Sequence, residues 1–162
     1  MTGLPVFDPA RRDERLLFYG RRMKTEGWTS ADIDTFNAVA HRVTTEMPGT
    51  LVVPPPGGTG VHDDLEPMLA RAVMVVPVDV RLVNGLPRRC HSNTARKWVG
   101  QKTKRLSVCT GFCLDADGLW RRHSWLADPV TGRITETTGR RVAYFGYELS
   151  TEEAGLWCEA NG

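Results

Sequence analysis

Two hydrophobic periods divide the chain. Up to about residue 50 the apolar positions recur at helical spacing, and from Ala72 onward they mostly alternate. Leu16, Leu17 and Met23 form a stripe between arginine pairs and predict a helix over 10–25, ended by Gly27, with Trp28 packing beneath. Thr29 or Ser30 then caps a second helix. Asp32 sits in its first turn, Ile33, Phe36, Val39, Ala40 and Val43 line its apolar face, and Pro48-Gly49 stops it. The two helices read as a helical hairpin over 1–50.

A Pro54-Pro55-Pro56-Gly57-Gly58 connector and a short helix starting near His62-Asp63-Asp64 fill 51–71, with a capping aspartate as the plain reading of that start. Val73 to Val83 reads as strand, and Pro77 within it argues for an edge or a bulge. After the Asn84-Gly85 turn, a helix is expected from about Cys90 to a stop at Gly100. Strands are expected at 106–114, 119–127 and 133–138, joined by turns at Asp117-Gly118 and Thr131-Gly132. One more strand falls around Tyr144–Tyr147, and a short final helix is capped by Ser150 or Thr151. The expected class is α+β: N-terminal helices, then a helix packed on an antiparallel β-meander over 72–162, the whole forming one compact unit.

Composition narrows the field. The chain has 162 residues, 41% apolar and 25% charged, which excludes bulk disorder. Its longest apolar run, Ala72 to Val78, is far short of the roughly 20 residues a membrane helix requires. The N-terminus lacks a charged-then-apolar secretion pattern, so a cytoplasmic location with reduced thiols is expected. A net charge of +2 is too weak to argue for nucleic acid by itself. The pairs Arg11-Arg12, Arg21-Arg22, Arg88-Arg89, Arg121-Arg122 and Arg140-Arg141 are scattered, and are expected on solvated faces and in surface ion pairs.

Four cysteines, Cys90, Cys109, Cys113 and Cys158, raise the question of zinc. Residues four apart on a strand lie roughly 13 Å apart, whereas zinc draws both sulfurs to about 2.3 Å. Cys109 and Cys113 are therefore expected to be structural thiols, and no metal or cofactor is implied.

Chemistry is concentrated in three places. Cys90 stands at a helix start among Arg88, Arg89 and His91, where unpaired amides and positive potential favour a thiolate. His123 shares a strand face with Trp125, whose indole would shield it from water. Glu136 lies on the next strand: the hairpin midpoint near Val130 places it roughly opposite His123, within reach of the imidazole. A cysteine at a helix start, a histidine on a strand and a carboxylate on its neighbour match the Cys–His–acid arrangement. In it the acid orients the imidazole and the imidazole withdraws the thiol proton.

Between Asn84 and Tyr147, under half the chain, the sequence resembles the transglutaminase-like and papain-like cysteine hydrolases. The resemblance rests on Cys90-His91-Ser92-Asn93, His123-Ser124-Trp125 and Glu136-Thr137-Thr138, with Thr110-Gly111-Phe112 and Tyr144-Phe145-Gly146 resembling connecting strands of small members. It implies a nucleophile-bearing helix on an antiparallel sheet, with Cys90, His123 and Glu136 as a triad. The acid departs from the family's aspartate, which makes Asp128 a substitute candidate, although a turn position would point it to solvent. The backbone N–H of Cys90 is the natural oxyanion donor. Asn84, at an offset where papain-like enzymes carry a glutamine donor, and Asn93, one turn after Cys90, are supporting candidates with Trp125.

The function expected is thiol-dependent acyl chemistry on a peptide, protein or small amide or ester. Two alternatives stand beside it: a non-catalytic interaction module of the same fold, and a nucleic-acid-associated protein using the arginine pairs.

Overall fold

The computed structural model describes residues 27–52 and 64–162. The helix expected over 10–25, the proline-glycine stretch and the His62-Asp63 pair lie outside them. Helix α1 (Ser30–Glu46) begins at a capping box in which the Thr29 side chain accepts from the Asp32 amide while Asp32 accepts from the Thr29 amide. Phe36, Val39 and Val43 are its buried stripe, and Trp28 packs edge-to-face on Phe36 with ring centroids 5.5 Å apart. The chain continues through β1 (Thr50–Leu51), α2 (Leu65–Arg71), β2 (Val73–Val75), β3 (Val80–Leu82) and α3 (Cys90–Val99). It ends with β4 (Ser107–Leu114), β5 (Leu119–Ala127), β6 (Ile134–Glu136), β7 (Ala143–Glu148) and α4 (Thr151–Asn161), the last capped by a Ser150–Glu153 box. Asp64, expected as a side-chain cap for α2, makes no such bond and pairs with Arg122 instead. No helix among the described residues is long and apolar enough to cross a membrane.

The sheet corrects the simple meander. Its strand order is β2-β7-β4-β5-β6-β3, so β7 returns to the far side of β4 instead of continuing beside β6. Two pairings, β3 with β6 and β1 with β5, are parallel. The Val73–Val83 run breaks at Pro77, and its halves become the two opposite edges of the sheet. Laid flat, six strands would hold those edges about 24 Å apart, but the link from Val75 to Val80 can reach only about 17 Å. The sheet must therefore curl, and its concave and convex faces pack separate clusters. Val108, Phe112, Leu114, Trp120, Leu126 and Phe145 join the helices in the larger core, while Cys109, Cys113, Trp125, Ile134 and Tyr144 form the smaller one.

One feature of this topology positions the site. The edge of β5 away from β4 is shared between two short partners: β1 pairs with Leu119 and Trp120, and β6 with Leu126 and Ala127. Between them, Arg121 to Trp125 has no strand neighbour on that side. Helix α3 packs there. Thr94, fully buried on α3, donates its hydroxyl to the Ser124 carbonyl at 3.2 Å, a ladder acceptor the missing strand leaves open. Cys90 lies four residues before Thr94, on the same helix face. The helix start is thereby brought against His123.

Candidate active site

Cys90 is the first residue of α3, and Arg89 before it offers the helix no side-chain acceptor. The first amides of a helix lack intrahelical partners, so those of Cys90 and His91 are available to a developing oxyanion. Arg88 holds a left-handed backbone, φ 60°, in the turn that delivers the chain to Cys90. A side-chain-bearing residue adopts this at a cost of order 1–3 kcal/mol. The approach is braced from the helix: the Asn93 amide donates to the Leu86 carbonyl at 2.8 Å and accepts from the Leu86 N–H at 3.0 Å. Gly85 passes so near that a Cβ there would lie 2.6 Å from the Asn93 amide nitrogen and 2.5 Å from the Thr137 carbonyl.

The half-buried Cys90 thiol is titrated by its neighbours. Burial alone would push it up, but hydrogen bonds with His123 and His91 outweigh that and bring its pKa down to about 5. His123 is 2% exposed. Burial would depress its imidazole, and hydrogen bonds with Cys113, Cys90 and Glu136 instead raise its pKa well above the ordinary value. Together these shifts favour a thiolate–imidazolium pair at neutral pH. The His123 Nε2 lies 2.7 Å from Glu136 Oε2, which leaves Nδ1 for the thiols.

Gly111 is the direct partner of His123 across β4 and passes close to the β7 backbone. A Cβ at Gly111 would fall 2.2 Å from the Phe145 carbonyl oxygen, so the position admits no side chain. Trp125 stacks beside His123 at 6.2 Å with 14° between the rings, and Tyr144 packs on Trp125 at 4.8 Å.

Glu136 is fully buried. Its Oε2 accepts from His123 and from the Tyr144 hydroxyl at 3.1 Å, and its Oε1 from the Thr137 and Thr138 amides at 2.8 and 3.1 Å. Burial works against the charged form, but these bonds, led by His123, hold the carboxyl below its ordinary value. Its register corrects the expectation. The β5–β6 ladder pairs Leu126 with Thr135, which extrapolates to Glu136 opposite Trp125, not His123. The slip is two residues, so the face is kept and the carboxylate meets the imidazole diagonally; the longer glutamate arm suits that reach.

Asp128 is not a rival acid, nor does it point to solvent. It is 5% exposed and closes the β5–β6 turn, accepting from the Val130 and Thr131 amides and from Arg105. The Val130 amide leads these bonds in holding its carboxyl below the ordinary range. Asn84 is exposed and lines a different cavity, with Leu86 and Lys97. Asn93, its amide committed to Leu86, braces the approach to Cys90 and is not a free oxyanion donor. Asn93→Ala should therefore cost about 1–3 kcal/mol in urea unfolding, the range for stranding buried polar partners.

Cys113 was expected to be a structural thiol like Cys109, whose burial pushes its pKa up to about 12. It is fully buried, but it shares its face with His123, adds to the upward shift of the imidazole and lines the Cys90 cavity. Among the described residues no group of His, Cys, Asp and Glu is arranged to hold a metal. That cavity, about 410 Å³, opens over Cys90, His123, Cys113 and Thr138. Its remaining wall holds Pro87, four arginines, Arg88, Arg121, Arg122 and Arg141, and Asp115. Arg122 and Arg141 are not the solvated surface charges expected: each is largely buried, paired with Asp64 and Asp115 respectively.

No protein-family model matches the chain, and neither a curated protein nor a solved structure does.

Proposed function

We propose that this protein performs thiol-dependent acyl chemistry on an amide or ester, with Cys90 as nucleophile, His123 as general acid and base, and Glu136 as the group that orients His123. The observation that carries the reading is a helix-start thiol and an imidazole lining one cavity, with a buried carboxylate 2.7 Å from that ring. It resembles the transglutaminase-like and papain-like arrangement in the order and roles of its members.

In the reaction the Cys90 sulfur bonds to the carbonyl carbon, and the amides at the start of α3 receive the oxyanion. His123 gives its proton to the departing nitrogen or oxygen as that bond breaks, leaving a thioester. Water, or an amine, then attacks the thioester. His123 takes the attacking group's proton, and the thiolate leaves. Glu136 keeps the proton on Nε2, so that Nδ1 faces the reacting groups throughout.

The test is covalent trapping. Wild-type protein mixed with 4-nitrophenyl acetate should release nitrophenolate in a burst and gain one acetyl group by intact mass, mapped to Cys90 by peptide digestion. Adding hydroxylamine or a primary amine should discharge it faster, and the ratio of amide to acid product reads transferase against hydrolase behaviour. Acetylation spread over lysines, with none on Cys90, would refute the assignment. The interaction-module reading would take its place.

A further inference from the structure

The catalytic proposal uses one side of the cavity and leaves its arginine wall unexplained. Four arginines and one carboxylate, Asp115, line the cavity, although the Arg122 guanidinium turns to the other face of the sheet, over the Phe112 ring. Asp115 is shared between Arg121 and Arg141, and Arg121 also pairs with Asp117. Arg122 is engaged by Asp64. Those pairings leave donors over. Among the described residues, Arg141 Nε is buried without a hydrogen-bond partner, and Arg88 has no ion pair. Buried guanidinium N–H groups are costly to strand, and they are normally satisfied by protein, water or ligand.

Placement sharpens the point. Arg88 is two residues before the nucleophile, held there by the left-handed turn. Arg141 is tied to the orienting carboxylate, since its Nη2 donates at 2.8 Å to the Thr138 hydroxyl, which in turn lies 3.3 Å from Glu136. An anion within this wall would sit beside the carbonyl that Cys90 attacks. The planar fork of arginine suits carboxylate and phosphate oxygens alike.

We propose that the acyl substrate carries an anionic group, a carboxylate or a phosphate, near its scissile carbonyl, and that Arg88 and Arg141 bind it. The inference rests on Cys90 being the nucleophile of the proposed function.

Two isosteric alkylating agents test it, neutral iodoacetamide and anionic iodoacetate, with glutathione as the reference thiol at the same ionic strength. The iodoacetate-to-iodoacetamide rate ratio at Cys90 should exceed that of glutathione by about tenfold or more, the low end of focusing by a charged cleft. The ratio should fall several-fold in Arg88→Gln, which separates the guanidinium from the imidazolium's own attraction. Arg141→Gln should lower it further; because Arg141 also holds Asp115 and Thr138, the exposed Arg88 decides the matter if that second variant does not fold. Protection of Cys90 from iodoacetamide by succinate, but not by inorganic phosphate, assigns a carboxylate, and the converse assigns a phosphoryl group. A ratio no higher than that of glutathione, or one unmoved by Arg88→Gln, overturns the anionic substrate while leaving the nucleophile in place. A Cys90 that reacts with neither reagent overturns both.

Discussion

Cys90→Ala and His123→Ala should each abolish acyl-enzyme formation, lowering it by at least about 10³-fold, and the double variant should be no worse than either alone. The non-additivity follows from the geometry: an alanine at 123 leaves a thiol with no base, and an alanine at 90 leaves a base with no nucleophile. The pH dependence provides a sharper signature. In the wild type the rate of Cys90 alkylation by iodoacetamide should rise with a midpoint near pH 5, where the thiol loses its proton. Below that pH the thiol is protonated and the rate falls. In His123→Ala the burial that opposes ionisation loses its strongest counterweight, and the midpoint should climb toward or beyond that of an ordinary thiol. Cys109, buried and shifted to about 12, should remain unlabelled in the folded protein. A wild-type midpoint near that of a free thiol, unmoved by the histidine substitution, would dissolve the pair.

The amino-acid pattern carries a good part of this site and misses the rest for identifiable reasons. The start of α3 was legible because Pro87, the polar run after it and Gly100 are local signals, and the α1 cap because Thr29 and Asp32 are three residues apart. Period-two alternation groups Cys109, Gly111 and Cys113 on one face of β4 and His123 and Trp125 on one face of β5, and the β4–β5 register puts the two groups on the same side. Alternation does not fix register or partner, however. The two-residue slip of Glu136 is set by the turn, where the Asp128 amide donates to the Arg133 carbonyl at 2.9 Å. The return of β7 to β4 is a long-range pairing that places Tyr144 in the smaller core and Phe145 in the larger one. Nor could spacing show that β5 lacks a strand neighbour over Arg121 to Trp125, the gap that seats α3.

Cys113 is as buried as the structural thiol expected of it, and only the β4–β5 register reveals that it also lies diagonal to His123 across Gly111. The arginines were misread because their partners are remote in sequence: Asp64 lies 58 residues from Arg122, and Asp115 lies 26 from Arg141. Thr94, one turn after the nucleophile, bonds to a carbonyl 30 residues away, so its buried role is likewise set by the fold.

Glu136→Gln should keep the fold and lose function, because the amide changes which proton the histidine holds. The glutamine oxygen can take over the Thr137 and Thr138 amides, bonds at 2.8 and 3.1 Å that fix one end of the side chain. Its NH₂ group then faces His123 Nε2, where a carboxylate oxygen had been. Two donors cannot share that bond, so Nε2 must become the acceptor and Nδ1 must carry the proton. A neutral ring in that tautomer cannot take the Cys90 proton, and an imidazolium there would lack its compensating charge. The acylation rate should fall by about 10²-fold or more, and the alkylation midpoint of Cys90 should move upward from about 5. Tyr144→Phe, which removes only the 3.1 Å hydroxyl contact to the same oxygen, should cost far less. Glu136→Asp separates charge from reach: it keeps the carboxylate but shortens the arm across the diagonal, so it should fall between the two. Melting curves establish that each variant is folded. A folded Glu136→Gln that alkylates and acylates at wild-type rates would remove Glu136 from the mechanism and leave a Cys–His dyad.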